Sequence, residues 1–504
     1  MTATAQRASE LARARGLADR GGLAWVDLDR EKVDPVATEA LPLELMATAL
    51  AVPYAFDGSK LKVALADPAT RHLVEHAVAA DIEFVVASRA AVTNLVGSLR
   101  STRRSAVSLL AVEAVPDDGD EAGDVESFFL VRAVEAGASD LHFVPCKDGL
   151  RVRARIDGVL RQIGEIPLAT APGAIARLKV RSKVDVSDHR RSQEGRIRLE
   201  VPSGGVFDVR VTTLPTVMGE GAALRILERT TQPPTLTEIG LSDHIQLVLE
   251  RVLNAQRGAL LVTGPTGSGK STTIYAALSD IARPGVNVIT VEDPVEYRLD
   301  GIYQIEVDPH VDLTFDSALR SILRSDPDIV EVGEMRDLVT ATTTLRAALT
   351  GSFVLSTLHT TDAPSAVTRL LDMGVEPYVT ATTVTAVIAQ RLVRRLCVYC
   401  REHYIATAAE AGDLGLADEE GLVLFRAAGC ERCDRGYRGR VGVHQLMVVD
   451  DDVRRVILTR GTYEEIAAAA ATAGMRSLWD DGLQKALAGL TSVEELRRVL
   501  TDLG

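Results

Sequence analysis

A chain of 504 residues is too long for one hydrophobic core, and a net charge of −14 argues against a protein that grips nucleic acid over much of its surface. Apolar residues at 46% and charged residues at 25% are the balance of ordinary globular domains, and no apolar run approaches the ~20 residues that would cross a bilayer. The amino-terminal stretch from Met1 to Arg7 lacks a basic segment followed by an apolar core, so no secretory signal is read and a cytoplasmic location is expected, with any membrane attachment made through a partner.

Residues 1–105 read as a small α/β module. Pro42 to Ala51 has helical periodicity, Lys60 to Ala66 alternates as a strand, His72 to Ala79 is a helix, Ile82 to Ala87 a second strand and Ala90 to Leu99 a further helix. Ala114 to Glu126 is acidic and poor in apolar side chains, which predicts a flexible linker, placed at 106–126, or an extended surface loop. A second module is expected over 127–230. Leu130 to Ala136 is helical there, Ala138 to Val144 enters a strand, and Leu150 to Ile156 alternates apolar residues with arginines, followed by the hairpin turn Asp157-Gly158. More arginines follow at 190, 191, 196, 198, 210 and 225. A solvated surface is the plain reading of such a sheet. The tight glycine turns among these arginines, and the phosphate-binding loop downstream, favour contact with an anion.

Past the Pro- and Thr-rich hinge Thr230–Leu236, a core over 231–393 is predicted. The apolar run Ala259 to Val262 is a buried strand, Gln246 to Asn254 precedes it as a helix, and Thr272 to Leu278 continue as a helix. Between strand and helix lies Gly264, Pro265, Thr266, Gly267, Ser268, Gly269, Lys270 and Ser271, a G-x-x-x-x-G-K-S loop with Thr272 behind it. Backbone N–H groups of such a loop and the helix N-terminus wrap phosphates, Lys270 reaches the outer phosphates and the Ser271 hydroxyl ligates Mg²⁺. The chain is therefore expected to bind ATP. A second strand, from Asn287, ends at Glu292, Asp293 and Glu296, and a third, Ile329 to Val332, ends at Glu334 in Walker B fashion. Ligands sit at the carboxyl ends of parallel strands, so two acidic strand ends beside one P-loop predict hydrolysis, with Glu292 and Glu334 both candidates to activate water. A strand from Gly351 to Thr357 leads to His359, a candidate sensor of the outermost phosphate.

Residues 394–440 hold Cys397-Val-Tyr-Cys400 and Cys430-Glu-Arg-Cys433, two C-x-x-C pairs that can close a tetrahedral structural Zn²⁺ site in a peripheral insert. Cys146 stands apart and reads as buried. Residues 441–504 are expected to be helical.

Taken together, these motifs resemble the secretion-ATPase superfamily of type II secretion and type IV pilus assembly, over about Ala136 to Leu446, with a weaker likeness to its amino-terminal module over 35–100. The Walker A loop at Gly264–Ser271, the acidic box Thr290–Tyr297, the Walker B stretch Asp326–Asp337 and the histidine box Ser356–Thr360 occur in the family's order. The resemblance implies a multidomain α/β chain with a RecA-like P-loop core, working as a homohexamer. It would drive pilin-fibre assembly through an inner-membrane platform protein and lie peripherally at that membrane. By the same resemblance Arg210 and Arg225, with Arg196, are arginine fingers, and Arg320 and Arg324 are inter-subunit arginines. Two departures stand out. Phe353 occupies the place of a first histidine in the histidine box, and Glu331 lies inside the Walker B strand, where it is expected to find a cationic partner or an exposed strand end. A tetracysteine segment favours assembly over pilus retraction. The acidic balance and the lack of a basic–aromatic stripe weigh against the other alternative, a nucleic-acid-translocating P-loop hexamer.

Overall fold

The computed structural model describes residues 3–31, 33–57, 60–75, 81–103, 113–114, 124–201, 205–228, 233–416 and 421–500. The expected acidic linker over 106–126 lies mostly outside these residues. Its end is ordered structure: helix Val125–Glu135 already begins at the linker's boundary, with Glu126 fully buried against Arg177. The later half of the helix expected at His72–Ala79 also lies outside, and the described part is Arg71–Glu75.

The first module is a four-stranded sheet in the order Ala24–Trp25, Ile82–Val86, Lys60–Leu65, Ala51–Asp57, with helices Leu43–Ala49 and Arg89–Arg103 packed on it. The helix expected through Ala51 stops at Ala49 because Leu50 turns the chain in the left-handed region at φ 45°, and residues 51–57 form a strand instead. That strand carries Pro53, which cannot donate to a ladder. It is tolerated because the strand is at the sheet edge and the register shifts just after Pro53. The long helix Ala3–Gly21 ahead of it has alanines, Ala14 and Ala18, at the buried positions among its described side chains, so no apolar stripe announces it there.

The second module is an antiparallel sheet built on strands Ala138–Cys146, Gly149–Ile156, Val159–Pro167, Gly219–Glu228, Val206–Thr216 and Gln193–Glu200, with Glu113–Ala114 added in parallel at one edge. Alternation puts Val152, Ala154 and Ile156 into a core under helices Val125–Glu135 and Ala171–Ser182 and leaves the arginines between them half-exposed. Cys146 ends the first of these strands half-buried rather than buried.

The core sheet has seven strands in the order Tyr303–Glu306, Val288–Glu292, Ile329–Val332, Phe353–Leu358, Ala259–Thr263, Val384–Leu396, Tyr437–Val448. The first six are parallel and the last is antiparallel. Burial on both faces explains the near-continuous Val, Ile and Leu runs. The expected fold class, a RecA-like α/β core preceded by two small α/β modules, is the one observed. The boundaries expected for the cysteine segment at 394 and 440 fall inside the two long strands, so the excursion between them is 397–436. Residues after Val448 form four helices, of which Leu478–Leu487 and Val493–Leu500 pack back on those strands.

Glu331 departs from expectation. It sits in a central strand at 4% exposure, opposite Thr290 and Leu355, and its Oε2 has no hydrogen-bond partner among the described residues. Burial, and then the charges of Glu292 and Glu296, push its carboxyl well above the usual carboxylate range, so it is held neutral rather than paired with a cation. In the unfolded chain it ionises near 4.5. Above that pH the unfolded state binds fewer protons than the folded one, and stability falls as pH rises. Glu331→Gln, which cannot ionise, should raise the melting temperature at pH 8 by roughly 2–4 °C and by less at pH 5. A gain that does not change between the two pH values would contradict the neutral assignment.

Candidate active site

Strand Ala259–Thr263 delivers the chain to Gly264, and helix Lys270–Ile281 leaves from Gly269. The loop between them needs its glycines. Gly264 and Gly269 stand at φ 151° and 88°, and a methyl group on either would lie 2.5 Å from the Gln390 carbonyl oxygen or 2.8 Å from Gln390 Nε2. Lys270 is buried in the mouth of this loop. Its Nζ donates to the carbonyls of Gly264 at 2.9 Å and Pro265 at 3.0 Å and lies 3.4 Å from His359 Nδ1. Burial lowers the ammonium to about 8, against the opposing pull of Glu334. The buried Ser268 hydroxyl has no hydrogen-bond partner among the described residues. A cationic side chain satisfied by carbonyls, an orphaned hydroxyl and a cradle that a Cβ would fill all fit a bound polyphosphate.

His359 follows the end of strand Phe353–Leu358, and Glu334 follows Ile329–Val332. His359 Nε2 lies 3.1 Å from Glu334 Oε2. An ammonium can only donate, so Nδ1 accepts from Lys270 and Nε2 carries the proton that Glu334 receives. Burial would raise Glu334, but the hydrogen bond and charge of Arg336, joined by His359, outweigh it and hold the carboxylate below its usual value. A cavity of about 440 Å³ opens beside this carboxylate, lined among others by Thr314, Phe315, Arg336 and Val339. Phe353, in place of a first histidine, is fully buried in the core.

The other candidate carboxylate is in a different state. Glu292 is buried and accepts hydrogen bonds from the hydroxyls of Tyr275 and Thr290 (the latter at 2.6 Å) and from Gln304 Nε2 at 3.2 Å. Burial raises its pKa in spite of those donors. Asp293 and Glu296 are both exposed, and desolvation raises the Glu296 carboxyl against the downward pull of the nearby Ser271 hydroxyl. Neither hydroxyl belongs to a motif that marks it as a partner of Glu292. Tyr275 stands four residues after Ser271 on the same helix, hence on the same face, which is the signal that could have found it.

Arg196, Arg210 and Arg225 stand directly opposite one another across three neighbouring strands of the second module. Like charges in such register repel unless an anion faces them. Arg196 and Arg210 face the core, Arg196 Nη1 lying 3.5 Å from Glu306 Oε1 and Arg210 feeling the charges of Asp293 and Glu306, while Arg225 donates to Asp140 of its own module at 3.2 Å and its charge is felt by Glu296. Burial, with Arg196 adding to it, lowers the Arg210 guanidinium. Arg320 is engaged by Asp316 at 2.8 Å and Arg324 is exposed.

The four cysteine sulfurs Cys397, Cys400, Cys430 and Cys433 lie within 4.8 Å of one another. Sulfur pairs 397–430 and 400–433 are 3.9 and 3.6 Å apart. A tetrahedral ion with ~2.3 Å zinc–sulfur bonds sets its thiolates about 3.8 Å apart, and a disulfide is far shorter. Backbone N–H groups of Cys430 and Gly436 point at Cys433 Sγ at 3.2 Å, and that of Gly429 at Cys400 Sγ at 3.3 Å, which favours thiolates. The donor set fits zinc. The segment has more packing than its polar sequence promised. Leu414, Leu422 and Leu424 join Leu483 and Leu487 of a carboxy-terminal helix, and Val398 and Tyr399 pack on the first module.

A P-loop with a lysine, a histidine and a carboxylate converging on one sheet edge defines a P-loop ATPase. A family model described as "Type II/IV secretion system protein" matches residues 124–498, and one described as "MshEN domain" matches residues 21–106. The chain is 44% identical over 397 residues to the type II secretion system protein E of Xanthomonas campestris, covering 78% of this chain and 70% of that one. It is 42% identical over 377 residues to the type IV pilus assembly ATPase PilB of Acinetobacter baylyi, covering 74% and 65%. Among solved structures, the Legionella pneumophila ATPase DotB superposes with a TM-score of 0.56 at 22% identity, over 77% of this chain and 98% of that one, a likeness of fold. The chain belongs to the type II/IV secretion system protein family and is one of its ATPases. No helix among the described residues is long and apolar enough to cross a membrane.

The hydrogen bonds around Glu292 yield a prediction of stability. Tyr275→Phe removes one of three donors from a buried carboxyl and should cost about 1–3 kcal/mol. Chemical denaturation of the variant against the parent checks it, and an unchanged midpoint would mean that Tyr275 does not hold Glu292.

Proposed function

We propose that this chain is the ATP-hydrolysing motor of a type II secretion or type IV pilus assembly system. In this reading it works as a homohexamer on the cytoplasmic side of the inner membrane and moves pilin-like fibre subunits through an inner-membrane platform protein. The observation that carries the catalytic part is the contact line Lys270–His359–Glu334, which joins the P-loop to the Walker B strand end across three separate strands. The relatives' names supply the two candidate systems, and the cysteine segment favours assembly over retraction.

Lys270 binds the outer phosphates, and its short-range carbonyl partners are the contacts it exchanges for them. Glu334 is the candidate that orients the attacking water and takes its proton. It is held ionised, lines a cavity, and is tied to the phosphate-binding lysine through His359, whereas Glu292 has its oxygens occupied by neutral donors. These differences support Glu334 over Glu292 for that role, with Glu292 as a buttress under the loop. Ser271, beside Glu296, would hold Mg²⁺, which supplies charge neutralisation on the phosphates when bound. Arg210 and Arg225 stabilise charge that develops on the transferring phosphoryl group, and Arg196 stands behind them. Asp293 lies at the rim of the same site, and Arg320 and Arg324 are available to a neighbouring copy. The four cysteines hold a structural Zn²⁺ that takes no direct part in hydrolysis, since closed ligation leaves no position for water.

Lys270→Ala should abolish phosphate release, and Glu334→Gln should retain ATP binding and trap the nucleotide uncleaved. Chromatography of the bound nucleotide decides it, and rapid turnover by the Glu334 variant would return the water-activating role to Glu292.

Arg210→Ala and Arg225→Ala should each lower kcat by roughly 10³-fold or more with little loss of ATP-analogue affinity. A loss confined to affinity would make them ground-state clamps.

Metal analysis under reducing conditions should find one Zn²⁺ per chain, lost on replacing Cys397 and Cys400 by serine. A folded chain with no zinc would defeat that assignment.

A further inference from the structure

Gln390 belongs to strand Val384–Leu396, which runs beside the P-loop strand, and it stands one residue past the Thr263–Ala389 pair, level with the loop. It is 2% exposed. Its Oε1 accepts the hydroxyl of Thr273 at 2.6 Å, and Thr273, itself 1% exposed, lies in the first turn of the helix that begins at Lys270. Its Nε2 is the atom a methyl on Gly269 would strike, and its carbonyl oxygen is the atom a methyl on Gly264 would strike. One residue thus backs both ends of the phosphate loop. The same carbonyl receives Arg391 Nη1 at 3.0 Å, and the other arm of Arg391 reaches the Thr361 carbonyl at 2.5 Å, in the turn after His359.

We propose that Gln390 is a positioning residue: it sets the curvature of the loop and thereby the places of Lys270 and Ser271, acting through Thr273 and the two glycines rather than on the nucleotide. A neutral amide suits this place. It offers an acceptor to the helix while adding no negative charge behind Lys270 to compete with phosphate, as a carboxylate there would. An apolar residue of the same size leaves the Thr273 hydroxyl buried without its acceptor and the loop without a stop. The inference rests on reading Gly264–Ser271 as the nucleotide loop.

Binding of a fluorescent ATP analogue with Mg²⁺ to the full-length chain tests it, alongside the melting temperature of the unliganded protein. Gln390→Leu should weaken binding roughly tenfold, the size of loss expected when a residue that orients ligand-binding groups is removed. Thr273→Val should do the same, and Thr273→Ser, which keeps the hydroxyl, should restore affinity. The Gln390→Leu, Thr273→Val double variant should be no weaker than the weaker single one, because the two residues act as a unit. Affinity unchanged in Gln390→Leu, or losses that multiply in the double variant, would overturn the proposal. So would a lowered melting temperature with unaltered affinity, which marks a purely structural role. Should Gln390→Leu not fold, the Thr273→Val and Thr273→Ser pair decides alone, equal affinities refuting it. Lys270→Ala separates the two levels. If it binds as the parent does, the loop reading itself fails; if it loses binding while Gln390→Leu keeps it, only the role of Gln390 fails.

Discussion

A lysine ammonium buried at the end of a parallel strand is the constraint around which the rest of the chain is arranged. Taking Lys270 out of water is costly, as its lowered pKa of about 8 records. The loop offsets that cost by curling so that the carbonyls of Gly264 and Pro265 face Nζ, and this curl is possible only for residues that accept positive φ where a Cβ would strike Gln390. His359 and Glu334 complete the environment from two further strands. A site assembled from separate strand ends is held in register by the sheet, which is why the core strands are buried on both faces and run in parallel.

The carboxyl groups near this lysine divide by environment. Glu334 is held ionised by Arg336 and His359, Glu292 is sheltered by hydroxyl and amide donors, and Glu331 has no cation and stays neutral. Three glutamates within two adjacent strands and their ends could not all be charged in one low-dielectric place. Holding Glu331 neutral keeps one negative charge out of the strands that lead to Glu292 and Glu334.

Much of this was legible in the sequence because it depends on local pattern. The glycine spacing of the P-loop, the apolar runs ending in Glu292, Glu334 and His359, and the paired C-x-x-C spacing each reflect short stretches whose geometry is set by neighbours in the chain. What escaped depends on contacts far apart in sequence. Gln390 meets Thr273 across 117 residues, and nothing near either residue marks the pair. The strand Ala51–Asp57 was hidden by Pro53, which is harmless only because the strand lies at an edge. Glu331 looked as if it needed a cation, since its neutral state follows from burial in the folded sheet and then from two carboxyl groups that folding brings near it. The polar look of the cysteine segment concealed a core borrowed from helix Leu478–Leu487 and from the first module.

That last contact places the cysteine cluster at a junction. Arg395, on the strand leading to Cys397, donates to Ser98 at 2.7 Å, Arg401 reaches the Asp29 carbonyl at 2.9 Å, and Asp157 of the second module accepts the Gly439 N–H at 2.8 Å. The strand that floors the nucleotide loop at Gln390 therefore continues into the point where all three modules meet, an arrangement suited to a chain that turns nucleotide chemistry into movement. Steady-state phosphate release by the purified full-length chain tests most directly whether the Lys270–His359–Glu334 site hydrolyses ATP. The account predicts continuous, magnesium-dependent release that Lys270→Ala and Glu334→Gln both eliminate; tight ATP binding with no release from the parent chain would contradict it and leave a nucleotide-gated scaffold.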